Sequence, residues 1–204
     1  LEPAMASAEK NDPHQQLRDG FERLLKKPIK DWHSIAQTFH SQQFANQEHW
    51  VKAGDYCQQI CYILAGLLRV YYIDADGNEV NQHFYQGGEV LSPISSIIND
   101  EPCQYYIQAL EPSKVMLADT MALYDRQADN PEWLSLELTI LQNVFVKMAR
   151  REAQLLLGNG EQRYKWFCKH YPELSQKLPQ YHIASFLGIT AVSLSRIRKK
   201  MKAE

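Results

Sequence analysis

Ile183-Ala184-Ser185-Phe186-Leu187-Gly188-Ile189-Thr190-Ala191-Val192-Ser193-Leu194-Ser195-Arg196-Ile197-Arg198-Lys199-Lys200 carries two helical apolar patterns on either side of one glycine. Apolar residues at 183, 187, 194 and 197 have helical spacing, and Gly188 can take the positive φ that ends a helix tightly. Thr190 is a good N-cap for the second helix, its hydroxyl open to an orphan backbone N–H. Two short helices joined by such a turn, the second ending in Arg-x-Arg-Lys-Lys, predict a helix-turn-helix shaped for a DNA major groove. Any surface pair of helices with a basic end is the plainer alternative. The small Ala184 inside the first helix and the Gly-x-Thr turn favour the DNA reading.

The charge distribution points the same way. Residues 161–204 hold nine Lys and Arg against three Glu, a net +6, whereas the whole chain has 22 basic and 24 acidic residues. The net charge of the chain is −2, so residues 1–160 carry −8. Cationic charge gathered at one end is a footprint for phosphates. The acidic remainder repels DNA and helps to orient the encounter.

At 204 residues and 45% hydrophobic content there is material for one core domain and a small second one. No run of eighteen apolar residues exists, so no membrane span or membrane partner is expected. The N-terminus lacks the basic start and apolar stretch of a secretory signal. Leu1-Glu2-Pro3-Ala4 ahead of Met5 looks like a cloning scar, and residues 1–16 are expected to be a flexible tail. The cysteines at 57, 61, 103 and 168 form no Cys-x-x-Cys pair, which fits incidental thiols in a reduced, cytoplasmic protein. A redox or iron–sulfur role is the weaker reading. No cofactor or metal is expected, and His83, in a strand pattern, reads as a half-buried polar residue. An enzyme is not expected either, because a Gly-rich phosphate loop, a nucleophile elbow and a metal-spaced ligand set are all missing.

Apolar spacing predicts one or two amphipathic helices over Leu17–Phe44, broken near Pro28. Then the pattern changes. Ile60–Leu64, Leu67–Ile73, Val80–Tyr85, Tyr105–Leu110 and Val115–Ala118 are β-branched and aromatic, with Asp76-Gly77-Asn78 as a hairpin signal between two of them. Short strands at this spacing imply a β-sandwich or barrel. Asn130 as N-cap and Pro131 at the first helical position open a long helix, uninterrupted by Gly or Pro until Gly158. Leu134, Leu138, Leu141, Phe145, Met148 and Leu155 follow alternating steps of four and three, interrupted at Glu152, a seam suited to a parallel two-helix dimer. Leu136, Ile140 and Val144 leave a second face for contacts within the chain. Gly158-Asn159-Gly160 reads as a hinge.

In this order the elements resemble the CRP/FNR superfamily of transcription regulators over roughly residues 20–204. The most specific parts are His182 through Thr190 and Ser193-Leu194-Ser195-Arg196-Ile197-Arg198-Lys199. Val51-Lys52-Ala53-Gly54-Asp55 and Tyr62-Ile63-Leu64-Ala65-Gly66-Leu67-Leu68-Arg69-Val70 look like the entry strands of that family's cyclic-nucleotide roll. Glu161-Gln162-Arg163-Tyr164 resembles the start of its DNA-binding domain. The fold class implied is α+β. It comprises an N-terminal double-stranded β-roll of jelly-roll type with flanking helices (17–128), a dimerisation helix (129–158) and a helix-turn-helix domain (159–204). The partners implied are duplex DNA, a second copy of the chain and RNA polymerase, with a small-molecule effector left open.

Transferred position by position, the resemblance puts Ala191, Val192 and Arg196 at base edges. Tyr181, His182, Thr190, Ser193 and Lys199 fall at phosphates or helix starts. One departure bears on ligand choice. Nucleotide-binding members carry a Glu for the ribose and an Arg-Ser/Thr-Ala for the cyclic phosphate, but here those positions fall near Pro93 and at Cys103-Gln104. No Lys or Arg occurs between Arg69 and Lys114. A buried phosphate needs a charge-assisted partner, usually a bidentate Arg. Ordinary binding of cyclic AMP or cyclic GMP is therefore not expected. Ser92, Ser95, Ser96, Gln104 and Tyr106 are candidate lining residues for some other effector.

Overall fold

The computed structural model describes residues 12–202, and they form two compact units. One unit runs up to Val70 and resumes over Phe84–Gln142; the other takes Tyr71–His83 and the chain from Asn143 onward.

The first unit begins with α1 (Pro13–Leu25), started by Pro13 and capped by the Asp12 side chain, which accepts from the His14 N–H at 3.1 Å. Residues 12–16 thus form the cap and first turn of a helix and not a tail; residues 1–11 of the predicted tail lie outside the described residues. After α2 (Trp32–Ala36) come β1 (Phe39–Phe44), β2 (His49–Val51), β3 (Gln59–Ala65), β4 (Leu67–Ile73), β5 (Glu79–Gln86) and β6 (Val90–Leu91). The order continues with α3 (Ile94–Asn99), β7 (Tyr106–Ala109), β8 (Ser113–Asp119) and α4 (Thr120–Gln127). The strands make two four-stranded sheets, β1-β8-β3-β6 and β2-β7-β4-β5.

Strand alternation sorts the side chains into two cores. Val51, Cys61, Ile63, Leu68, Val70, Leu91, Cys103, Ile107, Val115 and Leu117 pack together and fill the interior of the roll. Tyr62, Met116 and Ala118, on the opposite face of β3 and β8, meet Leu17, Phe21, Ile35 and Leu123 of the helices. The outer layer is completed by the start of α5 (Pro131–Leu157), whose Trp133, Leu136 and Ile140 are buried there. Asn130 caps α5 as the sequence predicts, accepting from the Glu132 and Trp133 N–H groups at 2.9 and 3.2 Å.

The second unit holds the rest of α5, then α6 (Gly160–His170), α7 (Pro172–Lys177), α8 (Gln180–Leu187) and α9 (Ala191–Met201), together with the tip of the β4–β5 hairpin. Assigning that tip to the helical unit differs from the boundaries expected from sequence, as does a division that falls within α5. The architecture is α+β, a jelly-roll β-roll with flanking helices followed by a helical C-terminal unit. Among the described residues no helix is long and apolar enough to cross a membrane.

Candidate nucleic-acid interface

The Gly188 turn forms as its sequence requires. Gly188 lies at φ 64° and ψ 37°, and the Ile189 N–H returns to the Ala184 carbonyl at 3.1 Å. A Cβ at 188 would make ordinary van der Waals contact with Arg163 Nη1 at 3.4 Å and Leu155 Cδ2 at 3.5 Å, so the positive φ and not crowding calls for glycine. Thr190 caps α9, accepting from the Ser193 N–H at 3.1 Å while its hydroxyl donates to Ser193 Oγ at 2.9 Å. Ile183, Ala184, Phe186, Leu187 and Leu194 are buried between the helices. What α9 leaves outside is Ala191, Val192, Ser195, Arg196, Lys199 and Lys200, with Ser193 half-buried. Thr190 and Tyr181 are exposed beside them.

His182 behaves differently from the sequence expectation of a phosphate contact. It is 3% exposed, its Nδ1 lies 3.2 Å from Asn81 Nδ2, and its carbonyl accepts from the same Nδ2 at 3.2 Å. Helical spacing explains this, because 182, 183 and 186 share the inward face of α8.

Around His182 the hairpin tip and α8 are fastened together. The Asn81 N–H donates to Ser185 Oγ and the Ser185 hydroxyl donates to the Glu79 carbonyl. Arg151 Nη2 donates to the carbonyls of Asn81 and Phe186, both at 3.0 Å, and its guanidinium stands 4.8 Å from the centre of the Phe186 ring. His83 is buried beside Phe186, with ring centres 6.1 Å apart. Burial, with the Lys147 and Arg151 charges adding to it, pushes the His83 pKa down to about 3.

Arg163 serves the other end of the reader. Its Nε donates to the Gly158 carbonyl at 2.9 Å, Nη1 to Leu187 at 2.9 Å and Nη2 to Leu155 at 2.8 Å. One guanidinium thereby satisfies carbonyls at the C-termini of both α5 and α8. Asn159 and Gln162 form a reciprocal capping box at the start of α6. Glu161, in the same turn, holds Lys165 at 2.8 Å and Lys200 at 2.7 Å. Those two ammonium groups lower its pKa to about 2.

The predicted seam residues have two fates. Leu134, Leu138 and Leu141 are exposed on the first part of α5, and Phe145 (73%) and Met148 (44%) on its continuation. Leu155 is instead half-buried beside Gly188. The proposed effector lining does not converge. Ser96 is fully buried with its Oγ on the Cys57 N–H at 3.1 Å, and Ser92 lines a narrow cleft of about 30 Å³ with Trp133 and Tyr124. Ser95 is half-buried and Gln104 exposed. Tyr106 meets His49 edge-on, because Ile107 and Ala109 take the inward positions of β7. Arg69 is likewise turned away from the roll interior that holds Leu68 and Val70, and it donates to Gln108 Oε1 at 2.8 Å.

The sequence gives no signal for Asn81, Arg151 and Glu79, and Ser185 and Arg163 stand in it only as motif letters. Their partners lie up to 106 residues away, so no local pattern marks them.

The comparisons with known proteins bear on the fold. Residues 41–128 match the cyclic nucleotide-binding domain family. No curated protein matches the sequence significantly. Among solved structures, the c-di-GMP responsive global regulator CLP from Xanthomonas campestris is similar at a TM-score of 0.70 and 12% identity, over 84% of this chain and 90% of that one. A CooA variant from Carboxydothermus hydrogenoformans gives 0.71 and 14%, over 86% and 81%. FixK2 from Bradyrhizobium japonicum gives 0.66 and 14%, over 81% and 85%. Residues 41–128 thus match the cyclic nucleotide-binding domain family, and the chain shares its overall fold with CLP, CooA and FixK2.

Proposed function

We propose that this chain is a homodimeric, sequence-specific DNA-binding transcription regulator that presents α9 to the major groove. The observation that carries the reading is the outward row Ala191, Val192, Arg196 and Lys199 on a helix capped by Thr190 and backed by buried Leu194. Arg196 can fork onto guanine O6 and N7, a contact worth about 1–3 kcal/mol of discrimination. Ala191 and Val192 offer only methyl groups, suited to thymine. Thr190, Ser193, Tyr181 and Lys199 sit where phosphates would fix the helix in register. His182 leaves this set and becomes an internal support.

A single helix-turn-helix gains affinity and specificity by pairing half-sites, and the exposed leucines and Phe145 of α5 supply a face for a second copy. The roll is a poor receptor for cyclic AMP or cyclic GMP. By the family resemblance the ribose and phosphate positions fall near Pro93 and Cys103, Arg69 faces away, and apolar side chains fill the interior. CLP is described as c-di-GMP responsive; nothing in the roll interior here offers such an anion a cation. RNA polymerase remains a candidate partner by family likeness. The test is selection of bound duplexes from a random pool by the full-length chain at moderate salt. Enrichment of a two-fold symmetric site supports the reading, and recovery of an unchanged pool overturns it.

A further inference from the structure

Cys57 and Cys103 lie on segments that hydrogen-bond to one another. The Gly54 N–H donates to the Cys103 carbonyl and the Cys103 N–H donates to the Asp55 carbonyl, both at 2.8 Å, so the segment leading to Cys57 runs alongside Cys103. The Cys57 N–H donates to Ser96 Oγ at 3.1 Å. Both residues therefore share one small neighbourhood, with Cys57 packed onto the core cluster that contains Cys103.

We propose that Cys57 and Cys103 are a redox-modifiable pair, joined into an intramolecular disulfide by a small disulfide oxidant such as oxidised glutathione. Cys57 is the entry point, being half-exposed where Cys103 and Cys61 are buried. Its thiolate attacks one sulfur of the oxidant and expels a thiolate, leaving a mixed disulfide. The Cys103 thiolate then attacks the Cys57 sulfur and expels the second small thiolate. Two protein thiols are oxidised, one small disulfide is reduced to two thiols, and the two protein protons pass to the thiolates released.

The other cysteines are poorly placed. Cys61 has no exposed surface, and Cys168 lies on α6. Burial raises the Cys57 and Cys103 thiols above their ordinary range, so exchange accelerates as pH rises towards it. Closing the bond pulls on Cys57, whose N–H donates to Ser96 Oγ in the middle of α3. Ser96 is thereby the first residue to feel the change.

The experiment incubates the full-length chain with oxidised glutathione at mildly alkaline pH, blocks free thiols and maps peptides without reduction. The expected result is a linked peptide pair joining Cys57 to Cys103, with two of the four thiols lost and both recovered by dithiothreitol. Cys57→Ser, at the half-exposed position, should keep its circular dichroism spectrum and lose the link. Retention of all four free thiols, a glutathione adduct on Cys57 that never resolves, or a link to Cys61 or to a second chain overturns the proposal. The readout is covalent, so it stands or falls independently of DNA binding.

Discussion

Asn81 and Ser185, 104 residues apart, are joined by a 2.9 Å hydrogen bond from the Asn81 N–H to the Ser185 hydroxyl oxygen. The same hydroxyl donates to the Glu79 carbonyl at 2.7 Å, so one small side chain closes both ends of a local backbone gap. Ser185→Ala leaves the Asn81 N–H without that acceptor and the Glu79 carbonyl without that donor. The expected loss is about 1–3 kcal/mol, read as a lower urea midpoint. Faster amide exchange should be confined to the hairpin tip and α8; unchanged exchange there would count against the clasp.

His83 sets a pH dependence. Its folded pKa of about 3 lies below the ordinary 6.5, so the unfolded chain binds the proton more readily. Its contribution is fully present above pH 6.5 and is lost progressively as pH falls towards 3. Melting temperature should fall through that window in the parent chain. His83→Phe should have a shallower slope there, and identical slopes would refute the assignment.

Arg163 closes two helix ends, and its removal should unsettle the turn between α8 and α9. Arg163→Ala is expected to cost about 3 kcal/mol, since charged hydrogen bonds to three carbonyls vanish together. Arg163→Lys should recover little of this, because one ammonium cannot reproduce the planar fork. Denaturant titration of the pair decides it; full rescue by lysine would show that charge alone matters.

The dimer face can be broken without touching a buried residue. Leu141 and Phe145 are 46% and 73% exposed, so Leu141→Lys with Phe145→Lys should leave the melting of a monomer intact while abolishing self-association in sedimentation. A variant that remains dimeric would place the interface elsewhere.

Arg196→Ala tests the reader directly. Loss of a bidentate base contact should remove about 1–3 kcal/mol of preference for the selected duplex over a random one. Weak, salt-sensitive binding should survive through Lys199 and its neighbours. Equal loss on both duplexes would make Arg196 a phosphate contact.

Most of the architecture could be read from local chemistry. Gly188 and Thr190 announce a turn through φ preference and capping, and Asn130-Pro131 announces α5, because such signals depend on neighbours in sequence. The two faces of α5 were largely legible, since Leu136 and Ile140 are buried and Val144 half-buried while Leu134, Leu138 and Leu141 are exposed; the buried Trp133 was not foreseen. The fate of His182 was not. Its burial depends on Asn81, a polar residue in a strand that gives no hint of which helix it will meet. The effector serines failed for a similar reason, as only the turn of α3 onto Cys57 decides that Ser96 points inward. Arg163 looked like one more cation in a basic segment until three carbonyls surrounded it.

The hairpin tip from Tyr71 to His83 is encoded within the stretch of chain that builds the roll, yet it packs in the compact unit that contains α9. No single scission can therefore yield a complete reader. A fragment starting at Asn143 would lack Glu79, Asn81 and His83, and Ser185, His182 and Arg151 would lose their bonds to that loop. Supplying the missing thirteen-residue loop as a separate peptide should restore order to such a fragment, which makes complementation in trans a natural assay for how firmly that loop is held.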